Sequence, residues 1–334
     1  MVRFCISAKT AGALAVCALA GACACVGLSA CGGSSSASSS ASSSASTSTQ
    51  MVEVVNDRQS SSDRFASLEQ SIGQGIDASG MDVSVAFIDL TDDSGSAAFD
   101  INGDESHVSA SMIKLLIVAT LLDQVNSGLA SLDDMYTVQA DDIVGGTGTL
   151  SGAAGMSYTF ADLMDRMIYA SDNTATNIII KKVGMGNAET GMANINAEAV
   201  ALGLSENTRI NRLMMDTTAL AQGIDNYITA NDAATILKMI YNGELGNAEL
   251  SAQVLESLKR QSDTDALPAG LPDGVTFAGK TGTLTNAEND GGIALTDKPY
   301  VLVVLCQQEG AISSSAAHSL MIDISRAVYE ATQV

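Results

Sequence analysis

The stretch VSASMIKLLIVATLL, Val108–Leu122, constrains the fold of this chain more than any other segment. From Ser111 onward it is apolar on nearly every face of a helix. A helix that is apolar all round lies in the interior of its protein. Its first turn nevertheless carries Lys114, and burying a charged amine is costly. The sequence therefore predicts a central, buried helix with a lysine near its start.

Ser111 lies three residues before Lys114, so the two side chains share one face of the helix. Desolvation lowers the pKa of a lysine, and a neutral amine beside a hydroxyl is a base beside a nucleophile. The pair alone also fits an ordinary helix start, since a chain this rich in serine contains such a spacing about once by chance. The functional interpretation therefore depends on further motifs.

The composition of the chain excludes several classes of site. A net charge of −22 argues against nucleic-acid binding, which needs clustered basic residues. Five of the six cysteines lie within the first 31 residues, so the rest of the chain, with Cys306 alone, has no disulfide framework. The two histidines, His107 and His318, are far apart in sequence, and we interpret His107 as a loop residue. We expect neither a metal centre nor a cofactor.

Residues 1–30 have the features of an export signal, with a positively charged start and an uncharged apolar run over residues 11–28. The sequence LSAC, which ends at Cys31, resembles the bacterial lipobox, in which the cysteine is lipidated and becomes the new N-terminus. A tether rich in Ser, Ala and Thr follows over residues 31–51. We expect an exported protein that is lipid-anchored to the outer face of the bacterial cytoplasmic membrane, with plain secretion as the alternative.

The folded domain is predicted over residues 52–334, with strands near both ends and helices between them. The strands are predicted at Asp82–Leu90, Ala97–Ile101, Val275–Leu284, Gly291–Leu295 and Tyr300–Gln307. Further helices are predicted at Val52–Ile76, Phe160–Ala170, Thr174–Lys182, Ala230–Tyr241, Glu249–Arg260 and Ser314–Ala331. This order indicates an α+β fold: an antiparallel sheet from residues about 52–110 and 271–334, flanked by the terminal helices, with an inserted helical part at about 111–270.

Three short motifs occur in order along this domain: Ser111-Met112-Ile113-Lys114, Ser171-Asp172-Asn173 and Lys280-Thr281-Gly282. Each is weak alone, but together they resemble the S-x-x-K, S-D-N and K-T-G set of class A β-lactamases and penicillin-binding proteins. Each also lies on the expected element: the buried helix, a connection between two helices, and a strand. The resemblance implies the β-lactamase/transpeptidase-like fold, an α/β sandwich, and a serine hydrolase.

The resemblance implies an acyl-transfer role for the first two motifs. Ser111 attacks an amide carbonyl and becomes acylated, while Lys114, neutral when desolvated, takes its proton directly or through water. Ser171 passes a proton to the leaving nitrogen. Asn173 hydrogen-bonds Lys114 and the side-chain amide of the substrate.

The third motif is implied to bind the substrate. Lys280 supplies the positive charge that a substrate carboxylate needs, with Gly282 and the hydroxyls of Thr281 and Thr283 beside it. The backbone N–H groups of Ser111 and Thr283 hold the oxyanion. An anionic β-lactam or a peptide that ends in D-Ala-D-Ala fits this arrangement.

One departure from the class A pattern bears on turnover. Class A β-lactamases carry a glutamate between S-D-N and K-T-G, and this glutamate activates the water that removes the acyl group. Residues 208–220 correspond to that loop, and alignment on Arg212 puts Met214 at the position of the glutamate. Asp216 is the only acid nearby and is the candidate base. The sequence therefore supports acylation better than fast hydrolysis.

Three functions remain open from the sequence. The first is a β-lactamase-like hydrolase that opens β-lactam amide bonds, with deacylation that is slow. The second is a D,D-peptidase acting on peptidoglycan stem peptides. The third is a lipoprotein that binds or senses penicillin without efficient turnover. The intact Ser111, Lys114, Ser171 and Lys280 argue against an inactive module, and we expect a monomer.

The lipid anchor leads to a first prediction. Changing Cys31 to Ser removes the thiol that would carry the lipid, so it should release the protein from the membrane or block processing. Membrane fractionation and the intact mass of the N-terminus measure this. A protein that stays in the membrane with residues 1–30 still attached would show a spanning helix instead.

Overall fold

A computed structural model of the protein describes residues 65–91 and 98–333. Its strands are β1 (Asp82–Asp89), β2 (Ala98–Ile101), β3 (His107–Val108), β4 (Met135–Thr137), β5 (Ser157–Thr159), β6 (Tyr227–Ile228), β7 (Thr276–Leu284), β8 (Ala287–Leu295) and β9 (Tyr300–Gln307). Its α-helices are α1 (65–79), α2 (Lys114–Asn126), α3 (Phe160–Tyr169), α4 (Asn173–Val183), α5 (Ala188–Ala201), α6 (Thr217–Ala221), α7 (Ala230–Asn242), α8 (Ala248–Leu258) and α9 (Ser314–Thr332).

The main sheet is antiparallel and has the strand order β2-β1-β9-β8-β7. Its strands come from both ends of the domain, and the predicted hairpin of β1 and β2 is present, although its turn at residues 92–97 lies outside the described residues. The α+β fold class predicted from the sequence is confirmed. Strand β7 lies at one edge of this sheet, and no other strand in the described part of the chain pairs with its outer side.

The central strand β9 separates two apolar cores. Successive side chains of a strand point to opposite faces, and in β9 every one but the last is buried. One face contacts the helical part of the chain through Val301, Val303 and Leu305. The other contacts α1 and α9 through Tyr300, Leu302, Val304 and Cys306. The sheet is therefore covered on both faces, which explains why β9 reads as a continuous apolar run.

Helix α2 lies at the centre of the helical part. Every residue from Lys114 to Leu122 is buried, as the all-apolar pattern predicts. Its start differs from the prediction, because residues His107–Val108 pair with β6 as a short strand and Ala110–Ile113 form a 3₁₀ turn. Ser111 therefore lies on a tight turn that enters α2, not inside the helix.

The interpretation of His107 as a loop residue is wrong. Its side chain is buried, and its Nε2 lies 2.7 Å from the Ser84 hydroxyl on β1. The sequence around it is polar, but strand pairing carries it into the interior.

Strand β8 is longer than the predicted Gly291–Leu295. It begins at Ala287, and the polar residues Glu288, Asn289 and Asp290 are buried within it. Each has a hydrogen-bond partner from another part of the chain, which allows these polar groups to be buried. Helix α5 and the two-stranded pairs β3–β6 and β4–β5 were also not predicted.

The described residues belong to one compact unit within Val52–Val334, and the other unit, Met1–Met51, lies outside the described residues. The predicted signal peptide at residues 1–30, the tether at 31–51 and Cys31 fall in that second unit. Among the helices that the structure describes, none combines the length and apolar character needed to cross a membrane.

Candidate active site

Ser111 and Lys114 meet at the entry to α2. The Lys114 amine lies 3.0 Å from the Ser111 hydroxyl oxygen, and the lysine side chain is fully buried. The tight turn at Ala110–Ile113 presents the serine, while the first residue of α2 supplies the amine. The structure thus brings the predicted nucleophile and base within hydrogen-bond reach of each other.

The partners of the Lys114 amine are compatible with its neutral form. Its Nζ lies 2.7 Å from the backbone oxygen of Ser171 and 2.9 Å from the amide oxygen of Asn173, two groups that only accept. A neutral amine has two N–H groups, which these acceptors occupy, and one lone pair, which can take a proton from Ser111. Burial, and next the charge of Lys280, hold the pKa of Lys114 well below its usual value, although Asp172 acts in the opposite direction.

The segment Ser171-Asp172-Asn173 lies between α3 and α4, as predicted, and a carboxylate holds it in place. Asp172 caps α4 by accepting a hydrogen bond from Ala175 N at 2.8 Å, and its other oxygen accepts from Leu150 N at 2.9 Å. Ser171 has a φ of 51°, an uncommon value for a residue with a side chain. The bonds of Asp172 stabilise this strained backbone and direct the Ser171 side chain toward Lys114.

The glycine-rich loop at residues 145–148 is a part of the site that sequence reasoning missed. At Gly148, with a φ of 143°, an added Cβ would lie 2.5 Å from the Asp172 carboxyl carbon. At Gly146 it would lie 2.7 Å from the amide nitrogen of Asn173. The loop therefore approaches the second motif more closely than any side chain would permit. The run GGTG is the feature of the sequence that could have indicated this close approach.

Lys280 connects the sheet to the second motif. From β7 its buried amine donates to the Ser171 hydroxyl at 3.0 Å and to the backbone oxygen of Thr281 at 2.8 Å. The Ser171 hydroxyl also lies 3.0 Å from Lys114. One hydroxyl therefore stands between two amines, a position from which a proton can pass to a leaving group.

The charge of Lys280 is sensitive to pH near neutrality. Burial lowers the pKa of Lys280 to about 7, although the charges of Asp290 and Asp263 oppose this. Burial also raises the pKa of Asp290 to about 7, while the hydrogen bond from Leu267 N favours its ionised form. Lys280 and Asp290 are neighbours within the sheet, and the charge of each favours the charged form of the other.

Gly282 allows β7 to lie directly on the turn that carries Ser111. A Cβ at position 282 would lie 3.0 Å from both Ser109 O and Ser111 N. The absence of a side chain in the K-T-G motif therefore brings the strand backbone beside the Ser111 N–H. This arrangement is compatible with the predicted oxyanion site formed by the N–H groups of Ser111 and Thr283.

Comparisons with known proteins agree with this geometry. The model of a family described as "Beta-lactamase enzyme family" matches residues 67–332. The chain belongs to this family. A β-lactamase of Bacillus licheniformis is 27% identical over 259 residues, 76% of this chain and 78% of that protein.

Two solved structures share the fold over nearly their whole length. A mutant of PBP-A in an acyl-enzyme complex with penicillin G has a TM-score of 0.71 and 29% identity, covering 80% of this chain and 97% of its own. An ancestral class A β-lactamase has a TM-score of 0.70 and 26% identity, covering 79% and 99%. The protein is a serine β-lactamase-like hydrolase of the β-lactamase/transpeptidase-like fold.

The loop before α6 carries the departure noted in the sequence. Met214 is buried, its N–H donates to the Asn177 side-chain oxygen at 2.9 Å, and its carbonyl accepts from the Asn177 amide at 3.1 Å. Asn177 lies one turn of α4 after Asn173, so position 214 is held near the site. Arg212 closes the same loop through an ion pair with Asp225 at 2.7 Å. Sequence reasoning did not identify Asn177 or Asp225, because each acts through a distant partner.

Asp216 is placed differently from the other predicted site residues. Its carboxylate caps α6 by accepting from Ala219 N at 2.9 Å. In the described part of the chain, the hydrogen bonds of its side chain do not reach Ser111 or Lys114. Its role as the base for deacylation stays a prediction.

The pKa of Lys280 leads to a second prediction. Lys280 is protonated below about pH 7 and loses its charge as pH rises through that value. The second-order rate of acylation by benzylpenicillin, a carboxylate, should therefore fall from pH 7 to pH 9. Lys280→Arg should remove this fall, because a guanidinium stays charged throughout the range. Stopped-flow rates across pH 6–9 measure both proteins, and a wild-type rate that is constant to pH 9 contradicts the assignment.

Proposed function

We propose that the protein opens β-lactam amide bonds by transferring the acyl group to Ser111, and that it releases the product slowly. The observation that carries this proposal is the 3.0 Å approach of the Ser111 hydroxyl to the buried Lys114 amine, which also lies beside the Ser171 backbone oxygen and the Asn173 amide oxygen. In its neutral form, which burial favours, this amine has a lone pair available for the serine proton.

The chemistry follows from these contacts. The Ser111 oxygen attacks the carbonyl carbon while Lys114 takes the hydroxyl proton. The oxyanion that forms accepts hydrogen bonds from the backbone N–H groups of Ser111 and Thr283. The carbon–nitrogen bond then breaks, and the Ser171 hydroxyl gives its proton to the leaving nitrogen. Lys114 then passes the proton that it took from Ser111 to the Ser171 oxygen, which lies 3.0 Å away. The product is an ester on Ser111 with the ring nitrogen as an amine.

Substrate capture relies on Lys280 and Thr281. The Lys280 amine lies beside the Ser171 hydroxyl, and a charge-assisted hydrogen bond to a carboxylate is about twice as strong as a neutral one. Thr281 accepts from the Gln261 amide at 3.4 Å, so its own proton can serve the carboxylate.

Deacylation lacks its expected base. The thioether of Met214 accepts hydrogen bonds weakly and does not titrate, so it cannot activate water. A general base typically contributes about 10²–10⁴-fold to a rate. The lifetime of the acyl-enzyme should therefore be longer by about that factor than in an enzyme that has such a base.

The comparisons favour this function over its alternatives. The matched relatives are called β-lactamases, and PBP-A, a structural neighbour, forms an acyl-enzyme with penicillin G in its mutant form. We therefore favour a β-lactam substrate over a peptidoglycan stem peptide or a sensing role. We also propose that Cys31 anchors the protein by lipid outside the cytoplasmic membrane, on the basis of the LSAC sequence alone.

The role of Ser111 is tested by covalent labelling. Ser111→Ala should abolish labelling by a fluorescent penicillin and leave the melting temperature nearly unchanged, since the hydroxyl is not part of the apolar core. Ser127→Ala, at the exposed end of the same helix, is the matched control and should label normally. Labelling of the Ser111→Ala protein at another residue would contradict the assignment of Ser111 as the nucleophile.

Slow release is tested by restoring a carboxylate. Met214→Glu should shorten the lifetime of the penicillin adduct, measured by intact mass against time, because the backbone bonds to Asn177 hold this position near the site. Met185→Glu, at an exposed position just after the C-terminal end of α4, is the control and should not shorten it. If the wild type already clears penicillin rapidly and Asp216→Asn does not slow it, both the loop alignment and slow release are wrong.

A further inference from the structure

A cluster of polar side chains lies beside Thr283, three residues after Lys280 on β7. Thr283 is exposed on β7 and donates its hydroxyl proton to the Glu288 carboxylate at 2.9 Å. Glu288 lies directly opposite it on β8 and is 4% exposed. Ser314, on α9, donates to the other carboxylate oxygen at 2.5 Å, and His318 Nε2 lies 3.6 Å away. Thr283 enters the acyl transfer described above through its backbone N–H, whereas the side chains of Glu288, Ser314 and His318 have no role in it.

The two threonines of the substrate strand therefore differ in chemistry. Thr281 accepts a hydrogen bond from Gln261 and keeps its own proton for a substrate carboxylate. Thr283 gives its single proton to Glu288, so its oxygen is left to accept. An acidic group directly behind it adds negative charge at this point. A carboxylate next to Thr283 would meet an acceptor and a like charge.

We propose that Glu288 determines charge specificity, making the Thr283 end of the cleft an acceptor subsite that favours a cationic or N–H-bearing substituent. Glu288 acts through Thr283 and is a positioning residue. Strand β7 is the edge of the sheet, so a substrate can lie along it and reach Lys280 and Thr283 together. This inference rests on the proposed acylation of Ser111.

Two cephalosporins test the subsite directly. Cephaloridine and cephalothin have the same acyl side chain and ring carboxylate, but cephaloridine carries a pyridinium on the C3 methylene and cephalothin a neutral acetoxy group. The ring carbon C3 is bonded to the carbon that bears the carboxylate. With the carboxylate at Lys280 and Thr281, this substituent is the part of the molecule that can reach Thr283.

The measurement is the ratio of the two second-order acylation rates, cephaloridine over cephalothin, followed by intact mass. Glu288→Gln should lower this ratio about three- to tenfold, the scale of one unit charge acting on another about 4 Å away through water. Added salt should lower the ratio for the wild type and have a smaller effect on the variant. A role in stability alone would slow both substrates alike and leave the ratio unchanged.

Two further variants decide the interpretation. Glu330→Gln removes the same charge from an exposed position of α9 and should leave the ratio as in the wild type. Thr283→Val removes the partial negative charge of the hydroxyl oxygen from an exposed residue, should also lower the ratio, and serves as the test if Glu288→Gln does not fold.

An unchanged ratio in acylated Glu288→Gln, or an equal fall in Glu330→Gln, overturns the proposal. If neither cephalosporin forms an adduct on the wild type, the proposed function fails, and the subsite falls with it. Adducts that form with a ratio independent of Glu288 and Thr283 contradict the subsite alone.

Discussion

The burial of Lys114 is the constraint on which the rest of the site depends. A buried amine remains neutral at far lower cost than a buried charge, provided that its N–H groups have acceptors. The backbone oxygen of Ser171 and the side chain of Asn173 are those acceptors, and both belong to the start of another helix. The base is therefore completed by tertiary structure, and the strained backbone of Ser171 is a consequence of this requirement.

Ser171 also couples the base to substrate binding. Its hydroxyl lies between the amines of Lys114 and Lys280, and the charge of Lys280 contributes to the lowered pKa of Lys114. The charge that attracts a substrate carboxylate to Lys280 therefore also favours the neutral form of Lys114 before the substrate binds. The positive charge of Lys280, on β7, thus has two effects. It attracts an anionic substrate, and it favours the neutral, basic form of Lys114 at the start of α2.

The sequence predicted the parts of this protein that are encoded locally. The all-apolar pattern placed α2 at the centre, and three motifs on their expected elements indicated the residues that the structure brings together. What it missed depends on partners distant in the chain. His107 is polar in context yet buried by strand pairing. The polar start of β8 is buried because Ser314 and Leu267 donate hydrogen bonds to its carboxylates and Val108 accepts one from Asn289. No periodicity in a single segment reports such partners.

The loop at Met214 shows that the two halves of hydrolysis have separate structural supports. Acylation uses α2, α4 and β7, whose buried network is intact. Deacylation needs a base on a loop, and here the loop keeps its anchors, the Arg212–Asp225 ion pair and the bonds of Asn177, while the side chain at the decisive position is apolar. Met214 is 7% exposed, so a thioether removes the desolvation cost that an unpaired carboxylate would bring there. An apolar side chain at position 214 therefore leaves the acylation network undisturbed, and the proposed stable acyl-enzyme is the chemical result expected of that separation.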